Sequence, residues 1–186
     1  MSPRAIRPPA PGTPEAREIE GMIRVDHAGE YGAVRIYEGQ LAILDTLNPH
    51  SKAAEAIRGM AQQEQQHLQT FDRLINERHV RPTALEPVWR IAGFALGAAT
   101  ALMGEKAAMA CTAAVEEVID QHYASQLDRL TRDPELKNTV ETFRADEIAH
   151  RDEALAHGAE QAPGYRRLSE AIKSGCRLAI KLSERI

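Results

Sequence analysis

The sequence has few of the residues that build sheets or sulfur-based metal centres. Only 2 cysteines occur among 186 residues, Cys111 and Cys176, and 4% of the residues are aromatic. The two cysteines stand apart with no Cys-x-x-Cys pair, which fits free core thiols in a reducing compartment and excludes a built-in rubredoxin-type iron centre. No alternating run rich in Val and Ile indicates a sheet.

The sequence also has little net charge, and its first residues do not resemble a secretion signal. A net charge of −4 is too small to imply a nucleic-acid partner. The stretch from Met1 to Gly12 contains four prolines and two arginines but no apolar core of a signal peptide. We therefore expect an intracellular protein with a flexible arm over residues 1–14 and a single domain over residues 15–186, which is long enough to bury a core.

What the sequence does contain is apolar residues at helical spacing over nearly its whole length. Thr13 and Pro14 mark a helix start, Asn48-Pro49 a break, and Asp133-Pro134 another start. We predict an all-α fold with long helices from Pro14 to the break at Asn48-Pro49, near residues 51–78 and 105–131, and from Pro134 through Ala154, with a last helix after Gly164.

Two similar motifs interrupt the apolar stripes of these helices with acidic residues. Glu30 precedes a Glu-x-x-His pair by 34 residues, and Glu116 precedes a second pair by 31 residues. The two pairs are Glu64 with His67 and Glu147 with His150. Such pairs also arise by chance, so the evidence lies in their symmetric placement and in the i, i+3 spacing that puts both members on one helix face.

Four glutamates and two histidines on four helices are the ligand set of a carboxylate-bridged di-metal site in a ferritin-like four-helix bundle. Buried unpaired carboxylates are costly, and two divalent cations remove that cost. Oxygen-rich ligation with one imidazole per metal favours iron or manganese over structural zinc. We expect two iron ions per chain; the alternative is that these glutamates face solvent.

Neighbouring polar residues extend this hypothesis. Asp146 directly precedes Glu147 and is expected either to orient a ligating histidine or to be solvated, whereas Gln63 holds the matching place before Glu64. His122 and Tyr123 follow Glu116 by about two turns and are candidates for catalytic side chains in a pocket beside the metals. Tyr37 and Tyr123 are interpreted as pocket-lining rings, with core packing as an equal alternative.

The segment from Val88 to Gly104 connects the two halves and carries Arg90 as its only charge. Its 14 uncharged residues after Arg90 are too few to span a bilayer, which needs about 20. The segment is expected either to lie in one leaflet, as a membrane-associating helix over residues 88–104, or to be an ordinary buried crossover helix. Small residues at Gly93, Gly97 and Ala101 form a face for close helix contact.

The chain resembles the demethoxyubiquinone hydroxylases of ubiquinone biosynthesis from about residue 18 to its C-terminus. The resemblance rests on the motifs Asp26-His27-Ala28-Gly29-Glu30-Tyr31, Glu64-x-x-His67, Ala114-Val115-Glu116-Glu117, Asp146-Glu147-x-x-His150 and the ending Ser183-Glu184-Arg185-Ile186. It implies a ferritin-like di-iron monooxygenase that hydroxylates the ring of a polyprenyl quinol with O2, with NADH as the reductant. It also implies that Glu30 and His67 bind one iron, that Glu116 and His150 bind the other, and that Glu64 and Glu147 bridge.

A polyprenyl substrate lies in the bilayer, so the resemblance favours peripheral contact of residues 88–104 with the cytoplasmic side of the cell membrane. A homodimer or an accessory lipid-binding protein are the further partners that it leaves open. No Gly-x-Gly-x-x-Gly motif explains where NADH would bind. The alternatives are a ferritin-like iron-storage or peroxide-detoxifying protein, and a helical scaffold that binds a lipid or partner through residues 88–104.

Overall fold

The computed structural model describes residues 9–10 and 12–185 of the chain. Within these ranges the protein forms helices and no strand, which confirms the expected all-α class. Residues 1–8 and 11, which belong to the expected N-terminal arm, lie outside the described residues, as does Ile186. The helices are α1 (Pro14–Leu47), α2 (Lys52–Glu77), α3 (Glu86–Leu102), α4 (Glu105–Leu127), α5 (Pro134–Ala156) and α6 (Tyr165–Ser183), with a short 3₁₀ turn at Ala159–Gln161.

Side-chain caps fix where three of the helices begin. The side-chain oxygens of Thr13, Ser51 and Asp133 accept hydrogen bonds from backbone amides in the first turns of α1, α2 and α5. The cap signals at Thr13 and Asp133 are therefore confirmed. The end expected for α4 is wrong by about one turn, because the helix stops at Leu127 and the chain turns so that Leu130 still packs fully buried in the core.

The core lies between two helical hairpins, α1 with α2 and α4 with α5. One apolar cluster fills the end of the bundle that contains Ile23, Phe71 and Leu136, and a second fills the end that contains Ile57 and Met109. Polar side chains are buried between these clusters, midway along the four helices. The bundle therefore confirms the ferritin-like arrangement and leaves its polar centre in the middle of the core.

Helix α3 crosses from the first hairpin to the second and packs on α1 through small residues. A Cβ atom added at Gly97 would overlap the backbone carbonyl of Ile36, and one added at Gly39 would overlap the carbonyl of Phe94. Each helix thus uses a glycine to admit the backbone of the other, as the small-residue face of α3 predicts. The buried face of α3 is short, and Val88, Ile91 and other apolar side chains on its opposite face are exposed.

Replacing Gly97 with Ala should lower the free energy of unfolding by ~3 kcal/mol or more, because the methyl group must displace the α1 backbone. The matched control is Gly59→Ala on an exposed part of α2, where a Cβ meets nothing within 4 Å. That change should stabilise the protein by about 0.5–1 kcal/mol, because alanine favours a helix interior. Denaturant titrations of both variants measure the difference. Equal stability of the two variants would contradict the close packing of α1 on α3.

Candidate metal centre

The structure brings the six candidate ligands together in the middle of the bundle. Glu30 comes from α1, Glu64 and His67 from α2, Glu116 from α4, and Glu147 and His150 from α5. All four glutamates have 0% exposure, and the two histidines are 3% and 2% exposed. The acidic interruptions of the apolar stripes therefore point into the core and not into solvent.

The six residues form two overlapping groups, in each of which the potential ligand atoms all lie within 4.8 Å of one another. One group contains Glu30 and His67, the other contains Glu116 and His150, and both contain Glu64 and Glu147. Two residues shared between two groups are what a carboxylate-bridged pair of cations requires. The sharing arises because Glu64 and Glu147 lie on α2 and α5, which face each other across the bundle.

Many polar atoms of this cluster have no hydrogen-bond partner. Both carboxylate oxygens of Glu64 and of Glu147 are buried without one, as are one oxygen each of Glu30 and Glu116 and the Nδ1 atoms of His67 and His150. Buried polar atoms are almost always satisfied in folded proteins. A set of orphaned oxygen and imidazole nitrogen atoms that converge on one place fits divalent cations of the iron or manganese type.

The pKa values of the metal-free cluster also indicate that positive charge stabilises its carboxylates. Burial and the neighbouring carboxylates raise the pKa values of Glu64 and Glu116 well above their ordinary value. Burial alone would lower the pKa of His67, but the nearby carboxylates of Glu147 and Glu30 outweigh it and raise that pKa to about 10. Without metal, protons must therefore occupy the cluster.

The histidines reach the cluster through Nδ1 and are held from outside through Nε2. His67 Nδ1 lies 3.3 Å from a Glu147 oxygen, and His150 Nδ1 lies 3.0 Å from a Glu64 oxygen. The Nε2–H of His67 donates to Asp146 at 3.1 Å, and that of His150 donates to the side-chain oxygen of Gln63 at 3.0 Å. A carboxylate and an amide oxygen can only accept, so in the neutral form of each imidazole the proton lies on Nε2 and a Nδ1 lone pair is left for a cation. In the metal-free protein the additional proton of His67 occupies Nδ1. Asp146 orients a histidine, as one of the two sequence interpretations has it, but that histidine is on the other half of the chain.

Two tyrosines support the glutamates of the opposite half. Tyr37 on α1 donates a 2.5 Å hydrogen bond to Glu116, and Tyr123 on α4 donates to Glu30. Burial and the adjacent carboxylates raise the pKa values of both phenols well above their ordinary value, so both remain protonated donors. The sequence shows the spacing, because each tyrosine follows the glutamate on its own helix by seven residues. It does not show that each tyrosine bonds to the other helix's glutamate.

His122 does not join the ligand cluster. Its Nε2 lies 3.2 Å from Asp26 and 2.9 Å from Gln126, whose amide donates to Asp26 at 2.7 Å. Sequence reasoning missed Gln126 in this buried group. A signal was present, since Gln40 and Gln126 each follow a ligand glutamate by ten residues, and Gln40 donates to Thr112 in the corresponding place.

A cavity of about 500 Å³ lies between α1, α3, α4 and α6 and reaches the metal cluster. Most of its lining is apolar, and its polar lining includes Asp26, Glu30, His122 and Tyr123. At its other side it is lined by exposed Ala92 and Gly175, so it opens to the surface between α3 and α6. Of the two expected pocket tyrosines, Tyr123 lines this cavity, whereas Tyr37 is packed in the core against Met60.

The metal-free protein should lose stability as the pH rises from 6.5 to 10. The folded state keeps a proton on His67 up to about pH 10, whereas the unfolded chain loses it near pH 6.5, so this contribution is complete below pH 6.5 and lost through pH 10. Glu64 and Glu116 act in the same direction, because folding raises their pKa values above the ordinary 4.5. The loss should be on the order of a few kcal/mol. Thermal melts with a chelator and with excess divalent cation measure it; a metal-free melting temperature that rises with pH would contradict the protonated cluster.

Comparison of the sequence with known proteins shows the family to which the chain belongs. The sequence profile of the family described as "Ubiquinone biosynthesis protein COQ7" matches residues 17–183. The chain is 56% identical over 178 residues to the 3-demethoxyubiquinol 3-hydroxylase of Rhodospirillum rubrum, covering 95% of this chain and 82% of that protein. It is 49% identical over 173 residues to the human protein named "NADPH-dependent 3-demethoxyubiquinone 3-hydroxylase, mitochondrial", and the match covers 90% of this chain and 78% of that protein. It is 42% identical over 188 residues to the "5-demethoxyubiquinone hydroxylase, mitochondrial" of Saccharomyces cerevisiae, and the match covers 92% of this chain and 80% of that protein. The chain therefore belongs to the COQ7 family of ubiquinone biosynthesis proteins.

Proposed function

We propose that the protein is a 3-demethoxyubiquinol 3-hydroxylase, a di-iron monooxygenase that hydroxylates the ring of a polyprenyl quinol with O2. The activity is the one that the names of its relatives print. The observation that carries the proposal here is the apolar cavity that ends at Glu30 and Tyr123. A quinol ring with an apolar tail fits such a cavity, because ligand pockets of a few hundred Å³ are mostly apolar with a few converging polar groups.

Glu30 and His67 would hold one iron, Glu116 and His150 the other, and Glu64 and Glu147 would bridge them. Two ferrous ions held there would supply the electrons for a reaction in which one atom of O2 enters the new ring hydroxyl and the other leaves as water. Two observations support the fit of these residues to two iron ions. Their carboxylate oxygens and Nδ1 atoms include many without a hydrogen-bond partner, and their side chains are buried.

The protein's own side chains hold and shield this chemistry. The hydrogen bonds from Tyr37 and Tyr123 fix the carboxylates of Glu116 and Glu30, and those to Asp146 and Gln63 fix the rotation of the two imidazoles. The apolar walls of α1, α3, α4 and α6 exclude water and hold a ring near Glu30, so its distance from the cluster is set by packing. Asp26 and His122 offer hydrogen-bonding groups to the polar substituents of that ring.

The reductant is proposed to be a reduced nicotinamide, NADH, as the family resemblance implies. Several relatives carry NADPH in their names, so both nucleotides need to be compared. The described residues fold without the strand that a dinucleotide-binding fingerprint would follow.

Peripheral contact with a membrane is proposed for residues 88–104, with α6 beside them. Ile91 is 71% exposed, Leu102 66% and Leu178 58%. Ile91 is next to Ala92 in the sequence and Leu178 follows Gly175 by three residues, so exposed apolar side chains of α3 and α6 lie near the opening, where a polyprenyl tail would leave the cavity. Among residues 9–10 and 12–185, no helix has the length and apolarity needed to cross a bilayer.

The location proposed from the sequence is the cytoplasmic side of the cell membrane, whereas the human and yeast relatives are named mitochondrial. A second copy of the chain or a lipid-binding protein also suits the exposed apolar surface. Iron storage is the weaker alternative, because it gives no role to an apolar cavity that leads to Glu30.

Purified protein loaded with iron should hydroxylate a short-chain demethoxyubiquinol analogue, and with ¹⁸O2 the new hydroxyl should carry the label. Mass spectrometry of the product, with NADH and NADPH supplied separately, measures the reaction and the preferred reductant. Glu64→Ala should lose both iron and product because Glu64 belongs to both ligand groups. The control Glu141→Ala, at an exposed position on α5, should keep both. Unlabelled product, or many ferric ions retained per chain, would favour storage.

Replacing Ile91 and Leu102 with Glu should move the protein from the vesicle pellet to the supernatant while its iron content stays the same. The reason is that both side chains are exposed on α3 and do not support the core. The control Thr142→Glu adds charge at an exposed site on α5, which does not contact α3, and should leave sedimentation unchanged. Trp89 is the only tryptophan of the chain, so its emission should shift to shorter wavelength on addition of vesicles. Unchanged emission and unchanged pelleting of the double variant would contradict membrane contact through α3.

A further inference from the structure

The two halves of the bundle repeat each other beyond the six ligands. In each half a tyrosine follows the first glutamate by seven residues, and a glutamine follows it by ten. The bonds also correspond: each tyrosine donates to the glutamate of the other half, and each glutamine donates to the residue four places before that glutamate. The pseudo-twofold relation therefore predicts two equivalent cation positions.

The residue behind each histidine breaks this equivalence. Asp146 and Gln63 both stand one place before a Glu-x-x-His pair, and both accept the Nε2–H of the histidine on the opposite helix. The bonds have almost the same length, 3.1 Å and 3.0 Å. One acceptor is a carboxylate and the other is an uncharged amide, so the difference between the two positions is chemical and not geometric.

A carboxylate attracts the imidazole proton more strongly than an amide does, since hydrogen bonds to ionised acceptors are roughly twice as strong. The pull on Nε2–H raises the electron density at Nδ1, which faces the cluster. His67 should therefore be a stronger donor to a cation than His150. Asp146 also places a negative charge near the Glu30 and His67 group.

The same group is the one that meets the cavity. Among the six candidate ligands, Glu30 alone lines the cavity, and Tyr123, which donates to it, also lines the cavity. Glu116 and its donor Tyr37 do not. Two further departures from symmetry also line the cavity: Asp26 stands where the other half has Thr112, and His122 stands where it has Ile36. The carboxylate of Asp146 and the cavity are therefore both next to the same cation position, the one formed by Glu30 and His67.

We propose that Asp146 and Gln63 are positioning residues that make the two cation positions unequal, with the tighter one held by Glu30 and His67 beside the cavity. This inference rests on the two-metal centre proposed above. It adds that the chain itself distinguishes the two positions, although their direct ligands are equivalent.

Asp146→Asn and Gln63→Glu test the proposal because each exchanges carboxylate and amide at nearly constant shape. Both residues are at least partly exposed, so neither change buries a new charge. Cobalt(II) is titrated into the chelator-treated protein and two binding constants are fitted. Asp146→Asn should weaken binding of the more tightly bound cobalt ion about 10-fold, and Gln63→Glu should strengthen binding of the other ion about 10-fold. Both values lie within the 10–100-fold effect typical of hydrogen-bond partners of metal-binding histidines. The double exchange should reverse the order of the two positions.

Proton NMR of the cobalt protein adds a spectroscopic readout that a purely structural role would not change. Two exchangeable, hyperfine-shifted imidazole N–H signals are expected, one moved by Asp146→Asn and the other by Gln63→Glu. Circular dichroism confirms folding, and if Asp146→Asn does not fold, Gln63→Glu alone still decides. Two equivalents that remain bound with unchanged constants and unchanged signals in a folded variant would overturn this inference alone. Absence of any cobalt binding to the unmodified protein would overturn the metal centre as well.

Discussion

Four carboxylates with no solvent exposure in one helical core are the constraint on which the rest of this structure depends. Left ionised and unpaired they would repel one another and lose their hydration, a cost that no helical packing offsets. The metal-free chain meets the constraint with protons, as the raised pKa values of Glu64, Glu116 and His67 show. Two cations would meet it better, because they satisfy the orphaned oxygen and Nδ1 atoms at the same time. Stability and metal binding are therefore properties of the same few side chains.

The pseudo-twofold relation explains how a single chain builds this centre. Each half contributes a glutamate, a Glu-x-x-His pair, a tyrosine and a glutamine, but the supporting bonds cross from one half to the other. Neither hairpin can satisfy its own ligands alone. The cluster therefore links the two hairpins by hydrogen bonds. The cavity reaches the centre on the Glu30 side and not on the Glu116 side, so the two cation positions differ in their access to it.

Helix α3 connects this buried centre to the surface of the molecule. Because Gly39 and Gly97 let α1 and α3 approach to backbone contact, α3 lies close enough to form a wall of the cavity. Its opposite face is free to expose Ile91 and Phe94. An apolar exterior and an apolar interior are therefore separated by the thickness of one helix, which fits the proposed action on a quinol that lies in a bilayer.

The sequence by itself determined the all-helical class, several helix caps and the six residues at the centre, but not the end of α4. Helical periodicity specifies which face of a helix a residue occupies, and Glu30, Glu64, Glu116 and Glu147 all fall on apolar faces. Only the tertiary structure decided which faces meet. Asp146 orients His67 on α2 and not its neighbour His150 on α5, and Gln126 bonds to Asp26 one hundred residues away. Such pairings depend on the relative rotation and offset of packed helices. The spacing of residues along one helix does not record them, because contact across a core is set by every side chain between the two backbones.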